Sequence, residues 1–135
     1  MRCELDARSA LPLKVLIVED SLLLRQALAA ILDELGGVDV VGGAEDEQSA
    51  IEMLQRQPPD LVIVDLELRD GTGLGVLRAL QLNRERYRGT RAVVFSNYGQ
   101  PMLREHCFAL GIDRFFDKST QMGDLLNYVQ AVAPA

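Results

Sequence analysis

The chain has 135 residues, 48% of them apolar and 25% charged, which suits one domain around a single core. Its net charge of −6, from 20 acids against 14 bases, leaves no basic stripe of the kind a nucleic-acid binder carries and suits a cation-binding site. No apolar run approaches the ~20 residues of a membrane span. The opening "MRCELDARSALPL" lacks a signal peptide's apolar stretch, so a cytoplasmic protein is expected.

In chain order, residues 1–12 read as a tail and 13–133 as one domain. Five short apolar runs predict strands: "KVLIV" (14–18), "VDVVGGA" (38–44), "LVIV" (61–64), "RAVVF" (91–95) and "RFF" (114–116). The first, third and fourth are continuous rather than alternating, as in strands covered on both faces of a parallel sheet. Between strands one and two, Leu24, Leu28, Ile31 and Leu35 form one helical stripe that stops at Gly36-Gly37. Ala50, Ile51 and Leu54 mark a second helix, ended by Pro58-Pro59, and Leu74, Val76, Leu77 and Leu80 a third. Pro101 opens a fourth helix that closes at Gly111; Ser119 or Thr120 is the expected cap of a fifth, with Leu125, Leu126 and Val129 inward. After it only "APA" remains, which predicts no following output domain. Strands alternating with helices in this way indicate an open α/β sheet with helices on both faces.

Cys3 and Cys107 lack metal-ligand spacing and read as incidental; His106, the single histidine, reads as a surface bystander on the fourth helix. Neither a histidine metal site nor a serine-type triad is available from these residues.

In open α/β sheets ligands bind beyond the carboxyl ends of the strands. Strand one ends in Glu19 and Asp20, strand three in Asp65, strand four in Ser96, and Lys118 follows strand five. Each alone has a plain structural reading: Asp20 or Ser21 as a helix cap, Asp65 as a turn opener, Lys118 as a solvated base. Their coincidence at one edge points to chemistry. Carboxylates ~5 Å apart repel by roughly 3 kcal/mol per pair at an effective dielectric near 20. Three of them need a compensating cation, and an all-oxygen ligand set favours Mg²⁺ or Mn²⁺. A carboxylate can attack phosphorus to give an aspartyl phosphate, with metal, ammonium and hydroxyl sharing the charge of the transferring group.

With "VLIVEDS", "LVIVDLELRDGTGLGVL", "VVFS" and "FFDKS", the chain resembles the receiver domain of two-component response regulators over nearly all of Lys14 to Val132. The resemblance implies a flavodoxin-like (βα)5 fold, a doubly wound parallel five-stranded sheet of order 2-1-3-4-5. It implies that Asp65 accepts a phosphoryl group from a histidine kinase or histidine phosphotransfer protein. Glu19, Asp20 and Asp65 would hold Mg²⁺ or Mn²⁺, with the Glu67 backbone carbonyl as a further ligand. Ser96 and Lys118 would bind the phosphoryl oxygens, and Phe115 would be the aromatic that turns inward on activation. In this family the first helix docks the phosphodonor protein, which singles out Leu22, on another face than the core stripe, near Arg25, Gln26 and Ala29.

"DGTG" also occurs in haloacid-dehalogenase-type phosphatases, whose nucleophile lies two places before the aspartate of "DGT". That place is Leu68 here, which cannot attack; "RDGTG" instead reads as a flexible turn into the third helix. Three departures from the commoner receiver pattern concern the site's mouth. Arg69 stands where proline is usual, predicting a less rigid loop; Asn97 replaces a small residue; and Glu67 and Tyr98 line the entrance. They are loop variation, or they tune the rates of phosphoryl gain and loss. The expected function is a single-domain response regulator that signals to a downstream protein target, without nucleic-acid or membrane contact of its own and with no enzyme activity beyond phosphotransfer to itself and autodephosphorylation. The alternatives are the receiver portion of a DNA-binding transcriptional regulator and an intermediate phosphocarrier.

Overall fold

Five strands and five helices alternate strictly along the chain: β1 (Leu13–Val18), α1 (Leu22–Glu34), β2 (Val38–Ala44), α2 (Glu47–Arg56), β3 (Leu61–Val64), α3 (Gly73–Leu82), β4 (Arg91–Ser96), α4 (Pro101–Ala109), β5 (Arg114–Asp117) and α5 (Met122–Val132). The structure, a computed structural model, describes residues 11–134; Cys3 and most of the predicted tail lie outside the described residues. All strand pairings are parallel and the order is β2-β1-β3-β4-β5, the flavodoxin-like arrangement expected.

Alternation along each strand divides the core into two layers. Val15, Ile17, Leu61, Ile63, Val93, Phe95 and Phe116 pack with Leu28 and Leu32 of α1 and Leu125 and Val129 of α5. Leu16, Val18, Val62, Val64, Val94 and Phe115 pack on the other face with Ala50 and Leu54 of α2, Val76 and Leu77 of α3 and Cys107 of α4. This two-sided burial is why the strands read as continuous apolar runs. Cys107 is fully buried and burial pushes its thiol up, consistent with a packing role, whereas His106 is exposed.

Two local expectations are corrected. The buried line of α1 is Leu28 and Leu32; Leu24, Ile31 and Leu35 are only half-buried on its flanks. The predicted stripe shares Leu28 with the buried line but steps by three to Ile31, where the buried line steps by four to Leu32. Neither Ser119 nor Thr120 caps α5. Its N-cap is Gln121, whose side-chain oxygen accepts from the Asp117 N–H at 2.7 Å, while the Ser119 hydroxyl turns back to Asp117 Oδ1 at 2.6 Å. Ser21 does cap α1, accepting from the Leu24 N–H at 3.2 Å.

Positive charge is also less dispersed than expected. Arg84, Arg86 and Arg88 between α3 and β4, and Arg91 at the start of β4, lie exposed, away from the carboxyl edge that carries the acids.

The corrected helix line makes a stability prediction. Leu32→Ala removes a side chain with no exposure and is expected to cost about 2–5 kcal/mol in denaturant unfolding, with a clearly smaller loss for Leu24→Ala. Equal losses would restore the sequence-derived stripe.

Candidate metal and phosphoryl site

The acids are placed by the sheet itself. Its ladder runs one residue past the strands: the Glu19 N–H donates to the Ala44 carbonyl and the Asp65 N–H to the Val18 carbonyl, both at 2.9 Å. Glu19 and Asp65, on the neighbouring strands β1 and β3, are therefore held side by side at the carboxyl edge. Both are buried, 5% and 7% exposed, and Asp20 beside them is half-buried. Glu19, Asp20 and Asp65 each present an oxygen within 4.8 Å of the others.

Lys118, just past the edge strand β5, extends over the end of β4 into this cluster. Its Nζ lies 2.7 Å from Glu19 Oε1 and 2.6 Å from Asp65 Oδ2. Burial favours loss of the Lys118 proton, but the two carboxylates outweigh it and its pKa is raised. Glu19 is moved the other way for a carboxylate: burial raises its pKa, against the lowering effects of Lys118 and the Ser21 N–H. The Ser21 N–H donates to Glu19 Oε2 at 3.0 Å and the Glu67 N–H to Asp65 Oδ1 at 3.3 Å. One ammonium does not neutralise three carboxylates, so the cluster retains a charge deficit that a cation would fill. The donor set is all oxygen, and the Glu67 carbonyl accepts no hydrogen bond among the described residues. These residues fit a hard divalent cation such as Mg²⁺ or Mn²⁺.

Ser96, the last residue of β4 and fully buried, stands beside this cluster, its Oγ accepting from the Tyr98 N–H at 3.2 Å. Phe115 is already inward, 5% exposed, with the Arg104 guanidinium carbon 4.5 Å from its ring centroid. Leu22 and Gln26 are exposed near the acids, and Leu23, which the sequence did not single out, is 80% exposed. Arg25 and Ala29 do not belong to that free face. Arg25 folds back to donate to the Glu19 carbonyl at 2.6 Å, and Ala29 packs against the α1–α5 core layer.

The mouth departs from expectation in two ways. Its loop is tied rather than loose: Arg69 Nε pairs with Glu45 Oε2 at 3.2 Å, the Arg69 N–H donates to the Glu45 carbonyl at 3.3 Å, and the Glu47 N–H donates to the Asp70 carbonyl at 3.0 Å. Partners from a distant loop supply the restraint that proline would have given. Second, two departures are joined: the Tyr98 hydroxyl donates to Glu67 Oε2 at 3.1 Å, a hydrogen bond that raises the Tyr98 pKa. Asn97 is exposed and Leu68, the vetoed nucleophile position, is buried. Pairwise contacts between loops 20 or more residues apart leave no period in a sequence. The one available signal was the spacing of Gly71, Gly73 and Gly75, which marks a close approach.

Among known proteins, the chain is 44% identical over 72 residues to protein-glutamate methylesterase/protein-glutamine glutaminase 5 of Anaeromyxobacter dehalogenans, 53% of this chain and 20% of that protein. It is 32% identical over 125 residues to the transcriptional regulatory protein PdtaR of Mycobacterium tuberculosis, 93% of this chain and 58% of that one. The chain thus spans less than two thirds of the length of these relatives. In fold it is similar to the CheX-CheY-BeF3-Mg²⁺ complex structure from Borrelia burgdorferi, with a TM-score of 0.80 at 23% identity, covering 93% of this chain and 92% of that one. No helix among the described residues is long and apolar enough to cross a membrane. The sequence pattern of the response regulator receiver domain matches residues 15–130. Matched along most of its length by that pattern, the chain belongs to the receiver domain family of two-component response regulators.

Proposed function

We propose that Asp65 is the phosphoacceptor of this receiver and that Glu19, Asp20, Asp65 and the Glu67 carbonyl hold Mg²⁺ or Mn²⁺ during transfer. The observation that carries the reading is the convergence of three carboxylate oxygens within 4.8 Å of one another, with Lys118 bridging Glu19 and Asp65. A bound divalent cation would offset the charge of the carboxylates and of the incoming phosphoryl oxygens. An Asp65 oxygen attacks phosphorus as the bond to the donor, a phosphohistidine nitrogen or an acyl oxygen, breaks in line. Lys118, already 2.6 Å from Asp65, pairs with a phosphoryl oxygen, and the Ser96 hydroxyl donates to another.

The new phosphoryl group adds about −1.5 to −2 charges at the edge. It draws Ser96 from the Tyr98 N–H and so acts on the β4–α4 segment that covers Phe115. Phe115 lies inward, and the switch is read as a shift in the population of that state. The altered surface is then read by a downstream protein. Leu22, Leu23 and Gln26, exposed beside the acids, suit docking of a histidine kinase or phosphotransfer protein, in a cytoplasmic setting.

Asp65→Asn is expected to abolish Mg²⁺-dependent incorporation of acid-labile phosphate from a small acyl phosphate; full incorporation in that variant refutes the assignment. Leu22→Asp is expected to lose transfer from the cognate kinase while keeping uptake from the small donor. Equal loss with both donors would indicate misfolding and remove the docking reading.

The Glu67–Tyr98 pair sets a rate. A carboxylate 6–7 Å from an incoming anion repels it by roughly 2–3 kcal/mol at a dielectric near 20, and salt reduces this to about 1 kcal/mol. Glu67→Asn, which keeps the backbone carbonyl, should therefore speed uptake from a small anionic donor about fivefold. Asn97→Ala should speed it further by opening the path. Stopped-flow rates unchanged in both variants would reduce these residues to loop variation.

A further inference from the structure

The loop between Asp65 and α3 has an internal frame and an external brace. Internally, the Gly73 N–H donates to the Leu66 carbonyl at 3.0 Å, Glu67 and Thr72 face each other as an antiparallel bridge, and Gly71 turns the chain at φ +78°. Externally, Glu47, the first residue of α2, grips the turn from both sides. Its own N–H donates to the Asp70 carbonyl at 3.0 Å, and its Oε1 accepts from the Thr72 N–H at 2.9 Å.

The glycines of this segment are shaped around that side chain. A Cβ on Gly71 would stand 2.5 Å from the Glu47 Cβ, and a Cβ on Gly75 would collide with the Glu47 carboxylate. Gly73 is packed against the backbone carbonyl of Asp65 so closely that a Cβ there would also collide. Glu47 therefore fixes Thr72, Thr72 faces Glu67, and Gly73 rests on Asp65. The Glu67 carbonyl at the end of this chain accepts no hydrogen bond among the described residues.

We propose that Glu47 is a positioning residue for the cation site: it sets the place of the Glu67 and Asp65 backbone without touching the metal. The proposal rests on the metal-binding reading above and adds a residue outside the acidic cluster. A carboxylate at this place also suits the first turn of α2, where acids favour the helix dipole. Capping alone, however, does not require the glycine cradle at Gly71 and Gly75.

Mn²⁺ binding to the full chain, followed by the electron paramagnetic resonance signal of free Mn²⁺, separates the possibilities. Glu47→Ala should weaken Mn²⁺ binding at least about tenfold, the usual size of effect for groups that orient a metal ligand. Glu47→Gln keeps an oxygen for the Thr72 N–H and should stay within about threefold of the native protein. Gly75→Ala leaves Glu47 in the sequence but evicts its carboxylate, and it should weaken binding as Glu47→Ala does. Because alanine favours a helix over glycine, that variant stays informative if Glu47→Ala fails to fold. Native Mn²⁺ affinity in both alanine variants, with only the unfolding temperature lowered, would overturn the proposal and leave Glu47 a first-turn acid that stabilises α2. Failure of the native protein itself to bind Mn²⁺ would refute the metal reading and the proposal with it.

Discussion

Two buried carboxylates held side by side by a parallel ladder are the constraint on which the rest depends. Glu19 and Asp65 cannot move apart, because the backbone bonds that place them continue the sheet. Their repulsion must be met where they stand, and Lys118 meets part of it from the edge strand at 2.7 and 2.6 Å. Removing Lys118 would leave the two buried carboxylates uncompensated, typically a loss of about 3–5 kcal/mol for a broken buried pair. The same arrangement leaves a deficit of positive charge beside Asp20, which on the proposed reading a cation would fill.

The scaffold explains why these groups arrive at one edge. They come from the ends of four strands, Glu19 and Asp20 sharing β1, and parallel pairing throughout puts all the carboxyl ends on the same side. Two core layers, with α1 and α5 on one face and α2, α3 and α4 on the other, make the sheet rigid beneath them. The loops above are then free to differ in sequence while braced to one another. Arg69 with Glu45, Tyr98 with Glu67, and Glu47 with the 70–72 turn are three such braces. They lie at the carboxyl edge of the sheet, beside the acids, rather than in the core.

Strand runs, helix alternation and the convergence of Glu19, Asp20, Asp65, Ser96 and Lys118 were legible because each is a local pattern read against one rule of α/β architecture. Strand order, by contrast, came from family resemblance, since periodicity does not encode which strand lies beside which. The helix line of α1 was misread after Leu28, because Ile31 and Leu35 fit a helical stripe as well as Leu32 does. Arg25 looked free for docking, yet its guanidinium is taken by the Glu19 carbonyl, a contact that depends on where the strand end lies relative to the helix. The cap of α5 failed for a similar reason: Asp117 captured Ser119 first. In each case a pairing between specific atoms decided among residues that sequence pattern treats as equivalent.

Diffraction at the manganese absorption edge, from crystals of the native chain grown with Mn²⁺, tests the central claim most directly. The account predicts an anomalous peak between the carboxylates of Glu19, Asp20 and Asp65 and within coordination distance of the Glu67 carbonyl, with the Lys118 ammonium displaced from at least one carboxylate oxygen. Mn²⁺ bound elsewhere, with Lys118 still bridging Glu19 and Asp65, would contradict it.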